Sequence, residues 1–190
     1  MERKSYCPYC MTPVSENEIC SVCGLTAGTY IPSPHHLPPG TVLMDRYLIG
    51  RVLGEGGFGI TYIGCDLRLE LKVAIKEYYP VDRATRNASA SLEVTNFIGP
   101  SAKSFERGKH KFLSEAQVMA KLDKQNVIVS VRDFFEINNT ADSLTIRRSK
   151  TTERFGRRAE PGWITMVRVF TAGRSLRGRR YRGEGVPYIL

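Results

Sequence analysis

The sequence predicts an α+β fold preceded by a small metal-binding module, and three observations carry that prediction. Residues 47–79 hold three β-patterned runs in close succession, residues 105–122 repeat apolar side chains at helical spacing, and residues 7–23 carry two tight cysteine pairs.

Cys7-Pro8-Tyr9-Cys10 and Cys20-Ser21-Val22-Cys23 are CxxC pairs separated by nine residues. Each pair bends two thiolates to one side, and four thiolates complete a tetrahedron around zinc. Disulfide bonding, the alternative, needs an oxidising compartment, and Met1-Glu2-Arg3-Lys4 reaches Cys7 without the apolar core of a secretory signal. A module of about 25 residues buries too little surface to fold alone, so metal supplies its folding free energy. Cys7, Cys10, Cys20 and Cys23 are therefore the metal-ligand candidates, whereas Cys65 reads as a small core residue on a strand. Residues 7–24 contain no Lys or Arg, which favours a protein-contact or spacer role over phosphate-backbone binding.

Pro32, Pro34, Pro38 and Pro39 mark an extended, poorly packed linker in which His35 and His36 are solvated. Regular apolar patterning begins at Arg46. Residues 47–53 read as a strand, 54–59 as a glycine turn, 60–65 as the return strand and 72–79 as a third. Three antiparallel strands in order are the economical arrangement. Residues 84–91, small and polar, read as a surface loop. In the helix Phe112, Ala116 and Met119 share a face, with Glu115, Met119 and Leu122 on an adjoining stripe; Val127, Val129 and Val131 then alternate as a fourth strand.

The glycine turn carries chemistry. Gly54-x-Gly56-x-x-Gly59 lies between two strands, unlike the dinucleotide-binding loop, which opens a helix. Its glycines let a hairpin backbone close over phosphate groups, with Phe58 as a lid at the tip. Lys76 follows seventeen residues after Gly59, in Val73-Ala74-Ile75-Lys76. Glu115 stands three residues after Phe112 and four before Met119, on the inward stripe. A buried carboxylate needs a cation, and Lys76 is the candidate; the alternative places Glu115 at the edge of the stripe, in solvent.

Leu53 through Lys76 resembles the nucleotide-binding signature of protein kinases, the bacterial serine/threonine kinases especially, and the match extends over about residues 46–139. The resemblance implies an N-lobe of antiparallel sheet plus one helix. It also implies that Gly54, Glu55, Gly56, Gly57, Phe58 and Gly59 cover the phosphates of ATP, that Lys76 pairs with the α- and β-phosphates, and that Glu115 orients Lys76. Leu53, Thr61 and Ala74 would line the adenine pocket, with Thr61 standing where valine is usual. ATP, Mg in the complete kinase, and a protein substrate phosphorylated on Ser or Thr are the implied cofactors and partners.

The family's catalytic loops have no counterpart. His35, His36 and His110 are the only histidines, so there is no His-Arg-Asp loop. Asp133-Phe134-Phe135 has Phe where Asp-Phe-Gly has glycine, and it falls at the fourth strand, where it reads as strand-end packing. Residues 142–148 make a poor hinge strand.

The net charge of +9 is a property of the C-terminal end: residues 1–140 hold 16 Lys/Arg against 15 Asp/Glu, and residues 141–190 hold 12 against 4. Pattern, charge and family likeness all change near Ala141, and eleven arginines against one lysine follow, as in sequence read out of frame. The expected organisation is a zinc ribbon at 1–25, a Pro-rich linker at 26–43, a partial kinase domain at 44–140 and an irregular basic tail at 141–190, non-native or disordered. The expected function is that of a serine/threonine protein kinase fragment, inactive as written. The alternatives are a zinc-ribbon protein whose basic arm contacts nucleic acid, or a pseudokinase docking module. Nucleic acid is not expected as a partner of the kinase reading. No run approaches the roughly 18 apolar residues of a membrane span, and a cytoplasmic location is expected.

Overall fold

The computed structural model describes residues 5–15, 19–26, 28–121 and 129–147. The basic segment 148–190 lies outside them, as do Leu122 and Val127. A short hairpin of β1 (Ser5–Tyr6) and β2 (Pro13–Val14) carries the first cysteine pair. The main sheet contains β3 (Val42–Leu43), β4 (Tyr47–Gly56), β5 (Gly59–Asp66) and β6 (Leu71–Tyr78). A minor pair, β7 (Ala84–Thr85) and β8 (Thr95–Asn96), precedes α1 (Pro100–Lys121), and β9 (Val129–Ile137) and β10 (Thr140–Arg147) complete the sheet. Its order is β3-β4-β5-β6-β10-β9, antiparallel throughout.

The first three predicted strands and the helix form for the expected reasons, and β9 holds the fourth from Val129 onward. The β5–β6 register opposes Tyr62 to Ile75 and Gly64 to Val73 on one face, and Thr61 to Lys76, Ile63 to Ala74 and Cys65 to Lys72 on the other. The helix opens on Pro100, whose missing N–H costs nothing at a first helical position. It packs against β9 and β10, with Phe105 and Ala116 buried. Phe105 and Phe112 flank the Tyr78 ring at 5.2 and 5.8 Å.

Three expectations are corrected. The proline segment is built into the lobe: Leu37 is 1% exposed in the main core beside Ile49, Tyr62 and Ile75, and its N–H donates to Tyr62 Oη at 3.1 Å. The polar loop at 84–91 contributes Arg86 to the interior. Arg86 pairs with Glu77 through both guanidinium ends, one of them Nη2 to Oε2 at 2.9 Å, and donates to the His35 carbonyl from Nε at 2.9 Å and from Nη2 at 2.6 Å. Tyr62 Oη donates to Glu77 Oε2 at 3.0 Å and accepts from Arg86 Nη2 at 3.3 Å. Burial alone would lower the Arg86 pKa, but its bonds to Glu77 hold it above its ordinary value.

The third correction concerns the break near Ala141. The sheet runs through it: β10 pairs with β9 from Thr140 to Arg147 and with β6 from Asp142 to Thr145. Backbone pairing is available to almost any sequence, which is why this segment forms a strand despite its poor pattern. Its side chains fit less well. Asp142 opposes Glu77, is fully buried, and its Oδ1 has no hydrogen-bond partner among the described residues. Burial, with the neighbouring Glu77 charge, raises the Asp142 pKa well above its ordinary 3.8. A raised folded-state pKa favours folding fully only below the ordinary value, and that contribution is lost as pH rises through the raised one. Asp142→Asn is therefore expected to stabilise the chain by about 1–3 kcal/mol at pH 7. The gain should shrink as pH falls toward 4, and urea denaturation at several pH values checks it.

Candidate nucleotide site and metal centre

The four cysteine sulfurs converge. Cys7 Sγ lies 3.6 Å from Cys23 Sγ, Cys10 Sγ lies 3.6 Å from Cys20 Sγ, and all four fall within 4.8 Å of one another with no disulfide. Four Zn–S bonds of about 2.3 Å at tetrahedral angles require sulfurs about 3.8 Å apart, so the donor set fits zinc. The two pairs are built alike. Cys7 N–H donates to Thr12 O and Met11 N–H to Cys7 O; Cys20 N–H donates to Leu25 O and Gly24 N–H to Cys20 O. Burial pushes the Cys7 thiol up to about 12, against the Tyr9 and Cys10 N–H groups aimed at it. At Cys20 burial acts in the same direction but is outweighed by the N–H groups of Cys23 and Val22 and by hydrogen bonds from Cys10 and Cys23, which bring the thiol down to about 7. Cys65 lies apart, buried on β5, as expected.

The β4–β5 hairpin places the glycine turn. The turn is shorter than the expected 54–59: Gly54, Glu55 and Gly56 still pair with Thr61, Ile60 and Gly59, which leaves Gly57–Phe58 as the turn, with Phe58 exposed at the tip. Gly59 is pressed onto β6, where any Cβ would overlap the Glu77 carbonyl oxygen, and Tyr79 N–H donates to Phe58 O at 3.2 Å. Lys76 and Thr61 are cross-strand partners, with Ala74 one step along the same face of β6. Lys76 Nζ lies 5.6 Å from the Phe112 ring centre. Burial lowers the Lys76 pKa, and the Glu115 charge acts through space in the other direction.

Glu115 itself departs from the expectation. Its side chain is 64% exposed, and its ion pair is with Lys111, one turn back at 3.8 Å. Phe112 and Ala116 turn inward, and the carboxylate one position before Ala116 is swung about 100° away from that face. Phe112 takes the space over Lys76.

Glu55 is not simply a loop residue. His35 Nε2 lies 2.8 Å from its Oε1 and His36 Nε2 3.0 Å from its Oε2, so the supposedly solvated histidines grip the glycine turn. The three side chains offer ligand-type atoms within 4.8 Å. Ser33 N–H, however, donates to His36 Nδ1 at 3.2 Å, which fixes the imidazole proton on Nε2, the atom a metal would need bare. The arrangement is a hydrogen-bonded clamp. Burial would raise the Glu55 pKa, but the His36 and His35 bonds outweigh it and hold the carboxyl below its usual value.

Asp133 accepts a hydrogen bond from Tyr47 Oη and lies 3.9 Å from Arg46, and Phe135 stacks on Tyr47 at 5.5 Å. The Asp-Phe-Phe run is fold chemistry, as read from the sequence. Sequence reasoning missed Arg86, Met11 and the histidine clamp. The signal for Arg86 was Glu77, a charge at the parity of Val73 and Ile75. The signal for Met11 was its position, equivalent to Gly24 in the other cysteine pair.

No family model matches the chain, and no curated protein does. Among solved structures it is similar to PpkA-294 in its apo form, a bacterial serine/threonine kinase, at 35% identity over 58% of this chain and 38% of that one, with a TM-score of 0.54. The chain thus spans well under half of that chain's length. The similarity supports a kinase-like fold with the sheet and helix of an N-lobe. Among the described residues no helix is long and apolar enough to cross a membrane.

Proposed function

We propose that residues 46–147 form the ATP-binding lobe of a serine/threonine protein kinase, which in the complete enzyme passes the γ-phosphoryl group of Mg-bound ATP to Ser or Thr of a protein. The observation that carries this reading is the meeting of the glycine turn, the Thr61 hydroxyl and Lys76 on one hairpin and the strand beside it. Thr61 Oγ1 is buried with no hydrogen-bond partner among the described residues, on the face that carries Lys76. An orphaned buried hydroxyl costs about 1–3 kcal/mol, and a ligand supplying a partner removes that cost.

Within the lobe the backbone of the turn closes over phosphate groups, Lys76 supplies positive charge, and Leu53 and Ala74 offer apolar surface to the purine. Asp133 is committed to Tyr47 and Arg46, and no other candidate for the proton-accepting or Mg-holding aspartate occurs in a recognisable motif. The 190-residue chain is therefore expected to bind ATP weakly and to transfer no phosphate.

Calorimetric titration of the zinc-loaded chain with ATP tests the reading. Lys76→Met should weaken binding at least about tenfold, since hydrogen bonds to charged groups contribute roughly 1.5–3 kcal/mol. Equal affinity in the two proteins would sink the reading. Phosphate transfer to an acceptor protein that disappears in Lys76→Met would refute the expected inactivity and locate catalytic groups in residues 148–190.

A further inference from the structure

We propose that the four-cysteine ribbon is a working part of the nucleotide site: Met11, docked on the face of the sheet that carries Ala74 and Lys76, fixes Leu53 and Ile63 beside the adenine position, so that metal loading of the ribbon sets the affinity for purine nucleotide. The inference rests on the nucleotide reading above.

Met11 is out of place in its own turn. In the second cysteine pair the equivalent residue is Gly24, at a φ of 72°, and Met11 adopts the same left-handed conformation at 53°. Glycine takes that conformation freely, whereas a residue with a Cβ loses about 1–2 kcal/mol there. The metal does not need methionine, since glycine serves the other pair. The lobe uses it: the Met11 side chain, 2% exposed, forms a cluster with Ile63 and Cys65 against which Leu48 and Leu53 pack.

The docking is specific. Arg51 N–H donates to Pro8 O at 2.8 Å, Arg51 Nε to Tyr9 O at 3.2 Å, and Val52 N–H to Tyr30 Oη at 3.1 Å. These are the residues where the β4–β5 register slips, between Ile49 and Gly54, so backbone groups of β4 are spent on the ribbon and its flanking segment. Gly50 makes the approach possible, because a Cβ there would lie 2.6 Å from Pro8 O and 2.8 Å from Ile63 Cγ2.

The face is the one that matters. Lys72, Ala74 and Lys76 share one side of β6, and Lys72 Nζ donates to Thr12 Oγ1 at 3.1 Å. Two residues along a strand span about 6.7 Å, so the ribbon stops one side-chain step short of Ala74. Leu53, which packs against the cluster of Met11, Ile63 and Cys65, immediately precedes the glycine turn. Met11 is thus a positioning residue. It acts on the base contact through Leu53 and leaves the phosphate contacts of the turn and Lys76 alone.

The experiment compares ATP with inorganic tripolyphosphate, which lacks the base, on the full zinc-loaded chain. Met11→Gly gives the first cysteine pair the residue the second already has, so zinc stoichiometry and the ribbon fold should be retained. The expected result is an ATP affinity lower by about tenfold, equivalent to 1.4 kcal/mol, with tripolyphosphate affinity changed less than twofold. Met11→Leu should restore ATP affinity, while Gly50→Ala and zinc chelation should each reproduce the loss. Faster hydrogen exchange at residues 50–53 in Met11→Gly gives a readout independent of ligand. If Met11→Gly binds ATP like the parent, or loses ATP and tripolyphosphate alike, the coupling is wrong and the nucleotide reading stands. A parent chain that binds neither overturns both.

Discussion

Arg86→Ala is expected to lower the stability of the lobe by about 3–5 kcal/mol, a large share of what a domain of this size possesses. The Arg86 and Glu77 side chains are 0% and 1% exposed, so removing the guanidinium leaves a carboxylate in the interior without its cation. The His35 carbonyl and Tyr62 Oη lose donors in the same step. The loss does not mean that the pair is worth so much against an apolar alternative. Replacing both partners with hydrophobic residues of similar volume is often neutral or stabilising, so Glu77→Leu combined with Arg86→Met should recover most of the loss. Urea denaturation followed by circular dichroism measures each variant, and a double-mutant cycle isolates the coupling. A single-variant loss under about 1 kcal/mol would disprove the buried pairing.

Cys10→Ser should abolish zinc binding and unfold the ribbon while the lobe's sheet persists. A structural zinc site contributes about 10–16 kcal/mol in isolated zinc-finger peptides, far more than the few buried residues of this ribbon supply. Met11 and the Pro8 carbonyl would then leave Gly50 and Arg51. Elemental analysis should give one zinc per parent chain, none in Cys10→Ser, and an unchanged value in Cys65→Ser. Limited chymotrypsin digestion at Tyr6 and Tyr9 reports the unfolding; residues 5–26 offer trypsin no site. Zinc retained in Cys10→Ser at parent stoichiometry would contradict the four-thiolate centre.

What the sequence made legible was whatever depends on local period. Alternation in β4, β5 and β6, the glycine turn between the first two and the CxxC spacing are all short-range signals; the three strands form where alternation put them, while the turn tightens to Gly57–Phe58 because Gly54, Glu55 and Gly56 go on pairing with β5. Glu115 shows the limit of periodicity. A stripe is known only to within about one residue's rotation, and that rotation separates a carboxylate at Lys76 from one in solvent. Arg86, Leu37 and His36 were illegible for a different reason: each is buried by residues far along the chain, in segments whose prolines and small polar residues read as loop. β10 escaped because its buried side facing Glu77 carries Asp142, a residue no apolar pattern selects.

The weaving of residues 33–37 into the lobe decides where an autonomous folding unit begins. The resemblance to kinases starts at Arg46, yet a chain cut there would open the slot that Leu37 fills, exposing apolar surface whose burial contributes about 1.5–3 kcal/mol. It would also take the His35 carbonyl from Arg86, the Leu37 N–H from Tyr62 and both imidazoles from Glu55. Ala88 N–H, which donates to Pro34 O at 2.8 Å, would lose its acceptor as well. The cooperative unit therefore starts near Ser33, fourteen residues ahead of the first recognisable strand at Tyr47, and the stretch that looks like a tether is the piece that closes the interior.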